Sequence, residues 1–117
     1  VQKWGLLHDA SEAYIGDIPR PLKYRREMRP YLRDEARLER CIERRFDLHP
    51  STRSRAVVKS LDNRIVVDEA RALITIPPRD TYLNALGEPL GVQILGFSPH
   101  NAEWNFLKRY YEIMEDM

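Results

Sequence analysis

His8, Asp9 and Glu12 interrupt a segment that otherwise carries Trp4, Leu7 and Ile15 at helical spacing. On a continuous helix, His8 and Glu12 project from one face and Asp9 is turned about 100° away. Burying an imidazole and carboxylates together is unfavourable unless they are paired or bound to a cation. A second polar intrusion is Asp62, set between Leu61 and Ile65. Glu69, seven residues on, falls nearly on the same helical face, whereas Asp68 points elsewhere. Each intrusion alone fits caps, surface charges or a salt bridge to Arg64 or Arg71. Taken together, one imidazole and carboxylates from separate helices form a nitrogen/oxygen site for a divalent metal. That donor set admits Mn, Co, Fe, Ni, Zn or Mg. Such an ion lowers the pKa of bound water, and a carboxyl such as Glu12 then serves as general acid or base.

These residues must be positioned by helices. The pattern predicts a first helix over residues 1–15, ended by Gly16 as a C′ residue. Asp17-Ile18-Pro19-Arg20-Pro21 reads as a turn, followed by a proline-initiated short helix over residues 21–28. Pro30 opens the next helix, with Leu38, Cys41, Ile42 and Phe46 as its apolar stripe up to Asp47. Ser51 is the expected N-cap of a long helix reaching about Ile76, where Pro77-Pro78 stop it. Val58, Leu61, Ile65, Ala72 and Leu73 are its expected apolar line. Residues 79–97, with Gly87, Pro89, Gly91 and Gly96, read as irregular, with room for a brief strand or hairpin. A last helix starts at Ser98-Pro99 and carries Ala102, Phe106, Tyr110 and Ile113. The expected class is all-α, a bundle of about five helices in a single domain.

The 117 residues include 43% hydrophobic and 32% charged ones, with a formal net charge of +1. The single cysteine, Cys41, excludes an intramolecular disulfide framework and a multi-cysteine zinc site. No apolar run approaches the roughly 20 residues of a membrane span, so the expectation is a cytoplasmic protein with no membrane partner. Charge is unevenly placed: from Arg20 to Arg45 ten Lys/Arg stand against five Asp/Glu. That segment, with Tyr24 and Tyr31 interleaved, suits phosphate-bearing ligands. The alternative is a solvated face on which Glu35, Glu39 and Glu43 pair with Arg33, Arg37, Arg40 and Arg44. The interleaved acids argue against a nucleic-acid partner.

His8-Asp9-Ala10-Ser11-Glu12 followed by Gly16-Asp17-Ile18-Pro19-Arg20-Pro21-Leu22-Lys23 resembles the HD-domain metal-dependent phosphohydrolases. Within them it is most similar to the bacterial 5′-deoxynucleotidases and their phage and prophage relatives, whose motif runs HDxxE…GDxPxPxK. Lys59-Ser60-Leu61-Asp62, with Glu69-Ala70-Arg71 after it, is similar to the family's downstream metal-binding helix. The resemblance implies an HD-type helical bundle in which His8, Asp9 and Asp62 bind the divalent metal. It makes Glu12 the catalytic glutamate and Asp17 a carboxylate beside the substrate sugar and phosphate. Arg20 and Lys23, after the GD turn, are candidates to meet a phosphate dianion. The family's metal set begins with a His on an earlier helix, and here the chain opens at Val1 inside a helix. The expectation is therefore a domain lacking its N-terminal helix or helices. His49 and His100, each beside a proline, do not match that position and read as surface residues.

The implied activity is hydrolysis of a nucleoside monophosphate or related small phosphate ester by metal-activated water. The alternative is a degenerate HD domain that binds nucleotide or a protein partner without turnover. The resemblance also implies a homodimer. Trp4 and Tyr14 are expected in the core rather than as nucleobase stackers.

Overall fold

The computed structural model describes residues 1–73 and 85–115. These are all-α, with no strand among the described residues. The elements are α1 (Gln2–Leu7), α2 (Glu12–Ile15), α3 (Arg20–Lys23), α4 (Arg29–Arg45), α5 (Thr52–Leu73) and α6 (Pro99–Glu115). A 3₁₀ turn at Arg26–Met28 precedes α4. Two compact units are present: Gln2–Pro50, and a second beginning at Ser51. No helix among the described residues is long and apolar enough to cross a membrane.

In the first unit, the expected first helix is divided into α1 and α2. Between them the chain winds more tightly: Ala10 N–H donates to Leu7 O and Glu12 N–H to Asp9 O, each at 3.0 Å. These are i→i+3 bonds, and in that winding side chains three apart eclipse. Gly16 ends α2 as expected, with φ of 77° that suits glycine, and its N–H donates to Glu12 O at 2.8 Å. The predicted short helix after the GD turn divides into α3 and the 3₁₀ turn. Pro21 and Pro30 sit in the first turns of α3 and α4, where a missing N–H breaks no helical bond.

The C-terminus of α4 is a Schellman motif. Leu48 N–H donates to Glu43 O at 2.8 Å and Asp47 N–H to Arg44 O at 3.3 Å. Asp47 supplies the required positive φ, 53°, and Leu48 is buried behind it. Of the expected α4 stripe, Leu38, Ile42 and Phe46 are half-buried, but Cys41 is exposed. Tyr14 is also exposed, not a core residue. Trp4 is half-buried against the His8 ring, at 6.3 Å between centroids.

In the second unit, the Ser51 hydroxyl accepts the Ser54 N–H at 3.0 Å, the N-cap bond the sequence predicts. Burial on α5 falls at Val58, Val67 and Ala70, whereas Leu61, Ala72 and Leu73 are exposed. Val58 and Val67 are nine positions apart, about half a turn round the helix, so the buried side shifts along its length. The expected end near Ile76 lies outside the described residues, as does part of segment 79–97. Over residues 86–98 the chain is irregular, and its path is fixed from α5. Asp68 accepts N–H bonds from Leu90 at 2.8 Å and Gly91 at 3.0 Å. Arg64 Nε donates to Glu88 O at 2.9 Å, its side chain lying against Gly87. On α6, the Ser98 hydroxyl accepts Asn101 N–H at 3.3 Å, and Ile113 is the buried residue.

Candidate functional site

His8 stands where α1 gives way to the tighter winding. Its Nδ1 lies 2.9 Å from the Gly5 carbonyl oxygen. A carbonyl can only accept, so Nδ1 carries the proton, and in the neutral ring Nε2 holds the lone pair. Nε2 in turn lies 3.2 Å from Asp9 Oδ2. Two lone-pair-bearing atoms at that distance call for a proton or a cation between them. Ligand atoms about 2.1 Å from one ion and 90–110° apart lie about 3.0–3.4 Å from each other. The pair therefore fits a divalent cation, and the Nδ1–H bond to a backbone carbonyl is the outer-shell contact that orients a metal-binding imidazole.

Glu12 follows on α2. Asp9 and Glu12, three residues apart, would stand about 60° from each other on a continuous helix, and the i→i+3 winding brings them closer to eclipsed. Its electrostatics agree. Partial burial raises the Glu12 pKa above its usual 4.5, and the negative charges of Asp9 and Asp17 raise it further, while Lys23 opposes them. Asp17 itself is exposed in the turn before α3, and Arg20 is exposed at the start of that helix.

Lys23 is committed within the unit. Its ammonium donates to Glu35 Oε2 at 3.0 Å. Desolvation acts to lower the Lys23 pKa, but the hydrogen bond and charge of Glu35 outweigh it and the net shift is upward. Tyr31 closes the arrangement from α4, its hydroxyl donating to Gly16 O at 3.2 Å. Burial, then the Glu35 charge, raise the Tyr31 pKa. The α4 helix thus braces both ends of the Gly16–Lys23 segment.

Glu35 is the residue that the sequence reading misplaced, as a partner of surface arginines. It is 9% exposed and bonds Lys23 instead. The signal lies in its register: Tyr31, Glu35, Leu38 and Ile42 recur at i, i+4, i+7 and i+11, which is the inward face of α4.

His49 is exposed and paired with Asp47, and His100 is exposed at the start of α6, as surface residues. Asp62 is half-buried on α5, in the second unit. Of its acidic neighbours, Glu69 is exposed and Asp68 is used to hold Leu90 and Gly91. The first unit thus gathers a histidine–carboxylate pair, a glutamate whose pKa is raised and a lysine–glutamate brace. No family model, curated protein or solved structure matches this chain.

Proposed function

We propose that this chain is a metal-dependent phosphohydrolase of the HD type, acting on a nucleoside monophosphate or related phosphate ester. The observation that carries the reading is His8, whose Nδ1 is tied to Gly5 O while Nε2 faces Asp9 Oδ2 at 3.2 Å. It occurs within the HDASE motif of the resemblance, with GDIPRPLK following at Gly16. His8 and Asp9 would hold the metal, and the resemblance implies Asp62 as a further ligand. A divalent ion bound there supplies an acidified water and neutralises phosphate charge.

The chain's own residues supply the rest. Glu12, with its raised pKa, keeps a proton closer to neutral pH than an ordinary glutamate, which suits delivery to the leaving oxygen. Asp17 stands at the entrance to α3 to orient the sugar or the attacking water. Arg20, at the start of α3, is the resemblance's candidate for a phosphate oxygen, and Lys23, held by Glu35, adds positive charge near Glu12.

Inorganic phosphate release is the test, with purified protein, a panel of nucleoside monophosphates and each divalent metal in turn. The expected result is metal-dependent release abolished by Asp9→Ala. Nucleotide binding without release, under every metal, would replace the enzyme with a non-catalytic binding domain.

A further inference from the structure

The α4 helix carries a second feature that the phosphohydrolase reading does not use. Arg29, Arg33, Arg37, Arg40 and Arg44 follow one another at intervals of four, four, three and four residues. At 100° per residue they fall within about 80° of arc, in a row about 22 Å long. All five are exposed. Of the acids that alternate with them in sequence, Asp34 is exposed about 60° beyond the Arg37 edge of the row, and the other three stand apart in space. Glu35, Glu39 and Glu43 form their own row, centred about 120° round the helix, and are buried or half-buried there. Glu35 is bonded to Lys23, and Glu39 and Glu43 are engaged as well. Among the described residues, no ion pair joins any of the five arginines to a carboxylate. Arg44 instead donates to Cys41 Sγ at 3.6 Å.

We infer that this arginine row is a binding surface for the phosphodiester backbone of a nucleic acid. Like charges three and four residues apart repel, and a polyanion laid along the row relieves that repulsion. Successive arginines advance about 4.5–6 Å along the axis, a regular spacing that suits a repeating line of phosphates. Each guanidinium offers a planar fork that matches phosphate oxygens. An anionic membrane surface is a poorer occupant. Interfacial helices place apolar residues in the bilayer beside their basic ones. The apolar residues of α4, Leu32, Leu38 and Ile42, are half-buried away from the row, which is bordered by Ala36 on one side and by Pro30, Cys41 and Asp34 on the other.

Fluorescence anisotropy with a short labelled DNA duplex, titrated across a salt series, tests the inference. Five phosphate contacts predict that log Kobs falls against log salt with a slope of about −4.5. Affinity should then drop about 500-fold between roughly 50 and 200 mM NaCl. The triple variant Arg33→Gln/Arg37→Gln/Arg40→Gln should bind more weakly, with the slope reduced by about 2.7, while far-UV circular dichroism shows helix content unchanged. Arg109→Gln, on α6, should leave the slope as it is. Parallel titrations with single-stranded DNA and duplex RNA rank the forms of the backbone. An absence of binding at low salt, or a slope the triple variant does not change, overturns the inference. So does equal or tighter binding of poly-glutamate, or of vesicles containing phosphatidylserine.

Discussion

Lys23 Nζ lies 3.0 Å from Glu35 Oε2, and the two side chains are only 18% and 12% exposed. One residue belongs to the GDIPRPLK motif and the other to the inward face of α4, so the pair fixes the motif segment to the longest helix of its unit. Removing either partner leaves a shielded charge without its counter-ion. Glu35→Ala should therefore cost about 1–3 kcal/mol in urea unfolding, below the range for fully buried pairs. A double-mutant cycle with Lys23→Met should return a coupling of about 1 kcal/mol or more. The pH dependence has a definite sign. Lys23 gains pKa on folding, so its contribution is complete below its ordinary value of 10.5 and disappears as pH rises through the higher folded value. Wild-type unfolding midpoints should show that alkaline loss, and Lys23→Met should not.

Glu12→Gln should raise stability while removing activity. The folded Glu12 pKa exceeds its ordinary 4.5 because of burial and the charges of Asp9 and Asp17. Above 4.5 the native state thus binds more protons than the unfolded chain, and stability from this group falls as pH rises through the folded value. In metal-free buffer, the melting temperature of Glu12→Gln relative to wild type should be unchanged near pH 4 and higher at pH 7. Under the proposed function, the same substitution should slow phosphate release by about 10²-fold or more.

Divalent metal should stabilise the folded chain through His8 and Asp9. At a metal concentration about 100 times Kd, the expected gain is about 2.7 kcal/mol, visible as a rise in melting temperature. His8→Ala and Asp9→Asn should each abolish that rise without preventing folding. A rise that survives both substitutions would place the metal elsewhere.

Asp68 should govern local rather than global order. Its carboxylate takes the N–H groups of Leu90 and Gly91 at 2.8 and 3.0 Å. Asp68→Ala should speed hydrogen exchange at those two amides, with a cost of about 1–3 kcal/mol confined to that segment. Phosphate release, if present, should change far less than with Asp9→Ala.

The helices were legible in the sequence because their punctuation is chemical and local. Gly16, Pro21, Pro30, Ser51 and Ser98-Pro99 all act where their residue types predict, through positive φ, fixed φ or a capping hydroxyl. The all-α class follows from that punctuation together with the 3.6-residue period. His8 and Asp9 stand out only in combination with Asp62 and the motif they open, since a lone His-Asp pair also fits caps and surface charges.

Tertiary structure decided what periodicity cannot encode. A continuous helix and a tight i→i+3 winding have nearly the same sequence signal over four residues, yet only the second brings Asp9 and Glu12 close to eclipsed. Burial on α5 depends on which side is covered at each level, so Val67 and Ala70 replaced Ala72 and Leu73. The acids of α4 look like partners for its arginines when read along the chain. Folding turns Glu35 inward to Lys23, because the pairing depends on which face of the helix meets the rest of the unit. The sequence determined which residues carry charge and where α4, α5 and α6 begin, but not that residues 1–15 divide into two helices. Only the fold decided which of those charges meet, and so left the arginine row facing water.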